Sequence, residues 1–168
     1  TKAIRGQGDS NPVYYLDLIP AFKKGDDDQT PWTPAINLAM GWSAALDALR
    51  VEGLETRWAR CAKMADGVRR LFTDAGFQLL ADAGQRSDTV TGILYPDGID
   101  DAWRTRLKDV HGTQVIGAQD ELKGKMFRVG SMGETPIEEM AEGCRRMFAC
   151  FAEMGVDLPD LNIEEYFA

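Results

Sequence analysis

Apolar residues recur at three- and four-residue steps over long stretches and cluster tightly over short ones. The first long stretch, Ile36 to Leu49, is apolar on most sides, through Ile36, Leu38, Met40, Trp42, Ala45, Leu46 and Leu49. That pattern predicts a helix that is buried or lies at an interface. The second, from Leu54 to Ala75, carries Leu54, Trp58, Cys61, Ala65, Val68 and Phe72 along one stripe and charges opposite, and stops at Gly76. The third, from Pro136 to Met154, repeats Ile137, Met140, Ala141, Cys144, Met147, Phe148 and Phe151 at helical steps. Asp100 to Val110 reads as a shorter helix opened by the staple of Ile99 and Trp103, with His111 at its end as a structural residue. Four short runs read as strands: Phe77–Ala81, Thr89–Tyr95, Gln114–Ala118 and Met126–Val129. The period of Val13–Ile19 fits a strand or a helical turn equally.

The order from residue 53 onward is α-β-β-α-β-β-α. Paired strands with helices between them predict a small α+β domain, a mostly antiparallel sheet with helices on one face. Residues 51–157 would form that domain. Residues 1–50 do not complete a sheet of their own and read as the end of a larger domain plus a linking helix. Residues 158–168 read as a tail, docked on a partner or loose. The chain starts at Thr1 rather than methionine, which suggests a piece of a longer polypeptide.

Charge and cysteine content narrow the partners. The net charge of −8 argues against nucleic acid or an anionic membrane as the main partner. It leaves room for a small anion in a locally cationic pocket. No apolar run approaches a membrane span, and no signal peptide is visible. Cys61, Cys144 and Cys150 fall in helical patterns without zinc spacing, as reduced core thiols of a cytoplasmic protein do. Asp26-Asp27-Asp28 lacks the spaced carbonyl and glutamate pattern of a calcium loop, so no metal site is expected.

Two places carry candidate chemistry. In Lys125–Gly133, KMFRVGSMG, Arg128 is the one charge of a short core strand that ends in Gly130, Ser131 and Gly133. Thr135-Pro136-Ile137-Glu138 then resembles a capping box with proline at the first helical position. A guanidinium there either clamps a substrate carboxylate through two parallel hydrogen bonds or pairs with an Asp or Glu of this acidic chain. In Thr30–Pro34, TPWTP, Thr33 stands before Pro34 as a candidate N-cap. It serves either as an ordinary cap or as part of a phosphate site at a helix start.

Five segments in order resemble a known family: Pro12-Val13-Tyr14-Tyr15-Leu16-Asp17-Leu18, Thr30-Pro31-Trp32-Thr33-Pro34-Ala35, Glu52-Gly53-Leu54-Glu55 with Arg57 and Arg60, Thr89-Val90-Thr91, and Lys125 through Gly133. Together they resemble the C-terminal half of class V aminotransferases, the alanine–glyoxylate and serine–glyoxylate group. The resemblance implies a fold-type I, homodimeric enzyme that uses pyridoxal 5'-phosphate (PLP) to move an amino group between alanine or serine and a 2-oxo acid such as glyoxylate. It implies that Arg128 binds the substrate carboxylate. It also implies that Thr33 reaches the partner subunit's cofactor phosphate, with Thr30 beside it at a position where relatives often carry an aromatic residue with a hydroxyl. The family's Schiff-base lysine lies upstream of the Tyr-Tyr-x-Asp segment, so no catalytic residue is assigned in this chain. A chain lacking that lysine and the N-terminal large domain would be inactive alone. The alternatives are a non-catalytic dimerisation or docking module, or another class V enzyme such as a lyase or a desulfurase. The desulfurase would need a reactive cysteine on a flexible loop.

Overall fold

The computed structural model describes residues 17–168. The ambiguous stretch Val13–Ile19 lies outside them up to Leu16, as do residues 1–12. The chain divides into two compact units, Thr1–Val51 and Glu52–Ala168.

The described part of the first unit contains α1 (Leu18–Gly25) and most of α2 (Ile36–Glu52). Asp17 caps α1, its side chain accepting from the Ile19 amide at 3.0 Å. Lys23 and Lys24 lie in the last turn of α1, where cations oppose the negative end of the helix dipole. Helix α2 starts two residues later than the Thr33-Pro34 signal implies. Thr33, Pro34 and Ala35 are all non-helical, so Thr33 is not the N-cap. No residue of α2 is buried within the described chain; Ile36, Leu38, Met40 and Trp42 are 59–76% exposed.

The second unit is the α+β domain that the pattern predicts. It runs α3 (Leu54–Asp74), β1 (Val90–Leu94), α4 (Ala102–His111), β2 (Ile116–Gly117), β3 (Met126–Gly130) and α5 (Ile137–Glu153). Gly53 (φ 86°) separates α2 from α3, and Gly76 (φ 88°) lies just beyond the end of α3, both in backbone that a side chain disfavours. The three strands form one antiparallel sheet in the order β1-β3-β2, with Gly92 and Ile116 flanking Arg128. Phe77–Ala81 is not a full strand. It joins the sheet through one bridge, Leu79 to Ile93, with the Leu80 amide bonded to Gly92 O and the Leu94 amide to Gln78 O.

Alternation gives the sheet two faces. Thr91, Ile93, Phe127 and Val129 point into the core. Phe127 meets Phe72 of α3, Trp103 of α4 and Phe151 of α5, and Trp103 stacks on Phe151 at 4.1 Å. The helices therefore cover this face. The other face carries Gly92, Arg128 and Ile116. Helix α5 begins at Ile137, with Pro136 at the cap position (ψ 153°) and no side-chain capping bond, so the capping box expected at Thr135 does not form. Residues 158–168 are neither loose nor separate. Ile163 and Phe167 are 7% and 5% exposed in the core, and Tyr166 bonds Asp74 at 2.8 Å.

Candidate active site: the outer face of the sheet

Arg128 sits in the middle of β3, on the face that the helices leave open, and its side chain is exposed. The strand is in the core as its composition predicts, but the arginine is not buried in it. Its parity places it opposite the Phe127–Val129 face. Its Nε and Nη2 donate to one acceptor, Gly117 O on β2, at 3.0 and 2.7 Å. This fixes one edge of the guanidinium. Of its five N–H donors, the pair on Nη1 and the second on Nη2 remain directed elsewhere, in the fork spacing that a carboxylate matches. No Asp or Glu among the described residues pairs with Arg128, so the structural ion pair is not what holds it.

The two cross-strand neighbours of Arg128 differ in size: Ile116 on β2 and Gly92 on β1. Gly92 faces it across the ladder, and a Cβ there would stand 2.8 Å from Met126 Cε and 3.2 Å from Leu80 Cβ. Met126 is thereby packed under the Leu80 segment and is 1% exposed despite its outward parity.

A charged cluster holds the chain where it leaves β3. Glu52 accepts from Arg57 Nε and from Arg60 Nε at 2.7 Å and Nη2 at 3.2 Å. Arg57 Nη1 donates onward to Gly133 O at 2.9 Å. Arg60 donates to Gly133 O at 2.8 Å and Thr135 O at 2.7 Å. The Arg60 hydrogen bond, with that of Arg57, outweighs desolvation and holds the Glu52 carboxyl below the ordinary carboxylate range; Glu52 in turn raises Arg60. The sequence marks these residues only as part of a motif. The available signal is spacing: Arg57 and Arg60 lie three apart on one helix face, one turn beyond a glutamate that precedes a glycine break.

The other candidates lie in the first unit. Thr33 is exposed and outside a helix. The Thr30 hydroxyl donates to Trp32 O at 2.6 Å, within its own turn. The first turn of α2 carries no acidic residue. Among the described residues no group of His, Cys, Asp and Glu could hold a metal ion, and no helix is long and apolar enough to cross a membrane. All three cysteines are buried and on helices. Burial pushes the Cys144 thiol up to about 12 and raises that of Cys150, the reverse of what a desulfurase nucleophile needs. His111 Nε2 lies 3.3 Å from Glu153 on the surface.

No protein-family model matches the chain. An uncharacterized aminotransferase of Methanocaldococcus jannaschii is 34% identical over 161 residues, 94% of this chain and 42% of that protein. A serine–glyoxylate aminotransferase of Hyphomicrobium methylovorum is 36% identical over 113 residues, 66% of this chain and 28% of that protein. The crystal structure of an alanine–glyoxylate aminotransferase from Nostoc sp. superposes with a TM-score of 0.78 at 29% identity, covering 88% of this chain and 40% of that one. The homologues of this chain include class V aminotransferases of the serine/alanine–glyoxylate group. The α+β unit is part of the fold-type I aminotransferase architecture. The similarity is partial in length: the chain spans about two fifths of the M. jannaschii aminotransferase. A Synechococcus relative at 29% identity is named a soluble hydrogenase small subunit; three solved structures that share the fold at 27–29% identity are named aminotransferases.

Proposed function

We propose that this chain is the C-terminal part of a PLP-dependent aminotransferase that moves an amino group between a small amino acid, alanine or serine, and a 2-oxo acid such as glyoxylate. The observation that carries the reading is Arg128. Its guanidinium is exposed, oriented by Gly117 O through one edge, and without a carboxylate partner among the described residues. Both substrates of such a transfer carry an α-carboxylate, and a pre-oriented fork binds that group with little loss of side-chain freedom. Arg128 binds the carboxylate and so fixes the direction of the bond to the α-hydrogen, a positioning role.

The cofactor would be held mainly by the missing portion of the enzyme. In this chain Thr33 fits its phosphate: the residue is exposed, and no acidic side chain lies in the following helical turn. Thr30 fits less well, because its hydroxyl proton is spent on Trp32 O. When bound, PLP supplies an electron sink for negative charge at the substrate α-carbon. In a homodimer Thr33 would serve the partner subunit's cofactor. The exposed apolar residues on several sides of α2 support contact with protein absent from this chain, since large exposed apolar surfaces are unusual in a soluble monomer.

The test is steady-state kinetics of the full-length protein with L-serine or L-alanine and glyoxylate. Arg128→Ala should raise KM for both substrates on the order of 100-fold, the loss of one charge-assisted bidentate contact, with cofactor content unchanged. Arg128→Lys should recover little of it, because the ammonium lacks the fork. Unchanged KM values in both variants would remove Arg128 from the site. No transfer by the wild type with any small amino acid would remove the aminotransferase reading.

A further inference from the structure

We infer that Glu52, Arg57 and Arg60 are positioning residues for Arg128; the inference rests on the reading of Arg128 as a carboxylate-binding residue. The argument begins at the end of β3. Val90 pairs with Gly130, and the Ser131 amide donates to Thr89 O at 3.0 Å, the last rungs beyond Arg128. The chain then crosses to α5 through Met132, Gly133, Glu134 and Thr135. Among the described residues no backbone hydrogen bond holds the amides of these four, and Met132 is 59% exposed. The connection is held by its carbonyls, through three bonds from two guanidiniums to Gly133 and Thr135.

Glu52 makes that grip possible. Gly53, at φ 86°, turns the chain so that the preceding carboxylate faces the first two turns of α3. It accepts from both arginines, neutralises one charge and fixes both forks toward the loop. All three side chains are largely shielded, 17–21% exposed, so the bonds compete weakly with water. Removing the carboxylate frees both arginines, loosens the loop and frays the ladder inward from Ser131. Arg128 lies three residues inside that end. Its alignment with Gly92 and the Gly117 carbonyl depends on the same pairing.

The experiment uses the full-length protein and acetate as a bare carboxylate probe, its dissociation constant read from the Arg128 Nε–H resonance. Amide hydrogen exchange at Ser131 is measured in parallel. Glu52→Gln should speed exchange at Ser131 about tenfold, about 1.4 kcal/mol, and weaken acetate about fivefold, about 1 kcal/mol, while the Phe127 amide exchanges as before. Arg60→Lys, which keeps the charge and loses the fork, should move both readings the same way and covers the case that the first variant does not fold. Faster exchange with unchanged acetate affinity would make the cluster merely structural and overturn the inference, as would no change in either. If acetate does not perturb Arg128 in the wild type, the carboxylate reading itself falls and the inference with it. If acetate binds the wild type and binds the Glu52 and Arg60 variants equally well, the inference alone falls.

Discussion

Gly67 lies in the interior of α3, where replacement by alanine normally stabilises. Removing the backbone freedom of a helical glycine gains about 0.5–1 kcal/mol. Here packing reverses the sign. A Cβ at Gly67 would stand 2.6 Å from Tyr166 O and 2.7 Å from a Phe167 ring carbon. The Tyr166 oxygen is a backbone atom that also accepts from Arg70 Nη2 at 3.0 Å, and Phe167 is 5% exposed. Neither can yield without moving the C-terminal segment. Overpacking of this kind costs about 1–3 kcal/mol. Undocking the segment instead would forfeit the burial of Phe167, worth about 1.5–3 kcal/mol. Against the propensity gain, Gly67→Ala should destabilise by about 1–2 kcal/mol. Gly143 in α5 supplies the control, because a Cβ there meets nothing within 4 Å; Gly143→Ala should gain about 0.5–1 kcal/mol. The assay is urea unfolding followed by tryptophan fluorescence, to which the fully buried Trp103 contributes. Exchange of the Phe167 amide, bonded to Glu164 O, reports docking of the segment. A Gly67→Ala variant as stable as Gly143→Ala would refute the packing argument. In the double variant with Phe167→Ala part of the Gly67→Ala penalty should vanish, since one clash partner is gone.

Three other outcomes follow from the same geometry. Arg128→Ala and Arg128→Lys should both raise KM for amino and oxo acids in the full-length protein, with the lysine rescuing little. Asp101 accepts from Arg104 at 3.0 Å and from the Tyr95 hydroxyl at 3.0 Å; chiefly the Arg104 bond, with that of Tyr95, holds its carboxyl below the ordinary 3.8 against burial. A depressed carboxylate contributes stability above its unfolded value and loses it as pH falls through the folded one. Asp101→Asn should therefore cost about 0.5–1 kcal/mol at pH 7. The gap in urea midpoint should narrow from about pH 4 downward, and a gap unchanged at pH 3 would contradict the charge argument. The Cys144 thiol, pushed up to about 12 by burial, should resist a thiol-modifying reagent at pH 8 in the native protein and react once urea unfolds it; modification without unfolding would contradict the burial.

How much of this was legible in the sequence varied with the range of the interaction. The helices of the second unit appear within a residue or two of their expected ends, because apolar spacing and terminal glycines are local signals. The class of the domain follows from that order of elements. Arg128 was visible as the lone charge of a core strand, and five short segments pointed to the aminotransferase group. Its environment was not visible. That it faces outward is a matter of strand parity, obscured because Met126, of the same parity, is buried under Leu80. That Gly117 O orients it depends on a two-residue strand eleven positions away. Phe77–Ala81 has strand composition, yet only Leu79 reaches a bridge. Whether the tail docks or hangs loose was not legible, because nothing in its own residues reveals the groove that Gly67 opens in α3. The grip of Arg57 and Arg60 on carbonyls more than seventy residues distant exists only once α3 lies beside the exit of β3. Short-range periodicity determined which segments would be helix or strand. Carbonyl acceptors and close backbone contacts belong to no residue type, so only the tertiary structure decided where each guanidinium would find its partner.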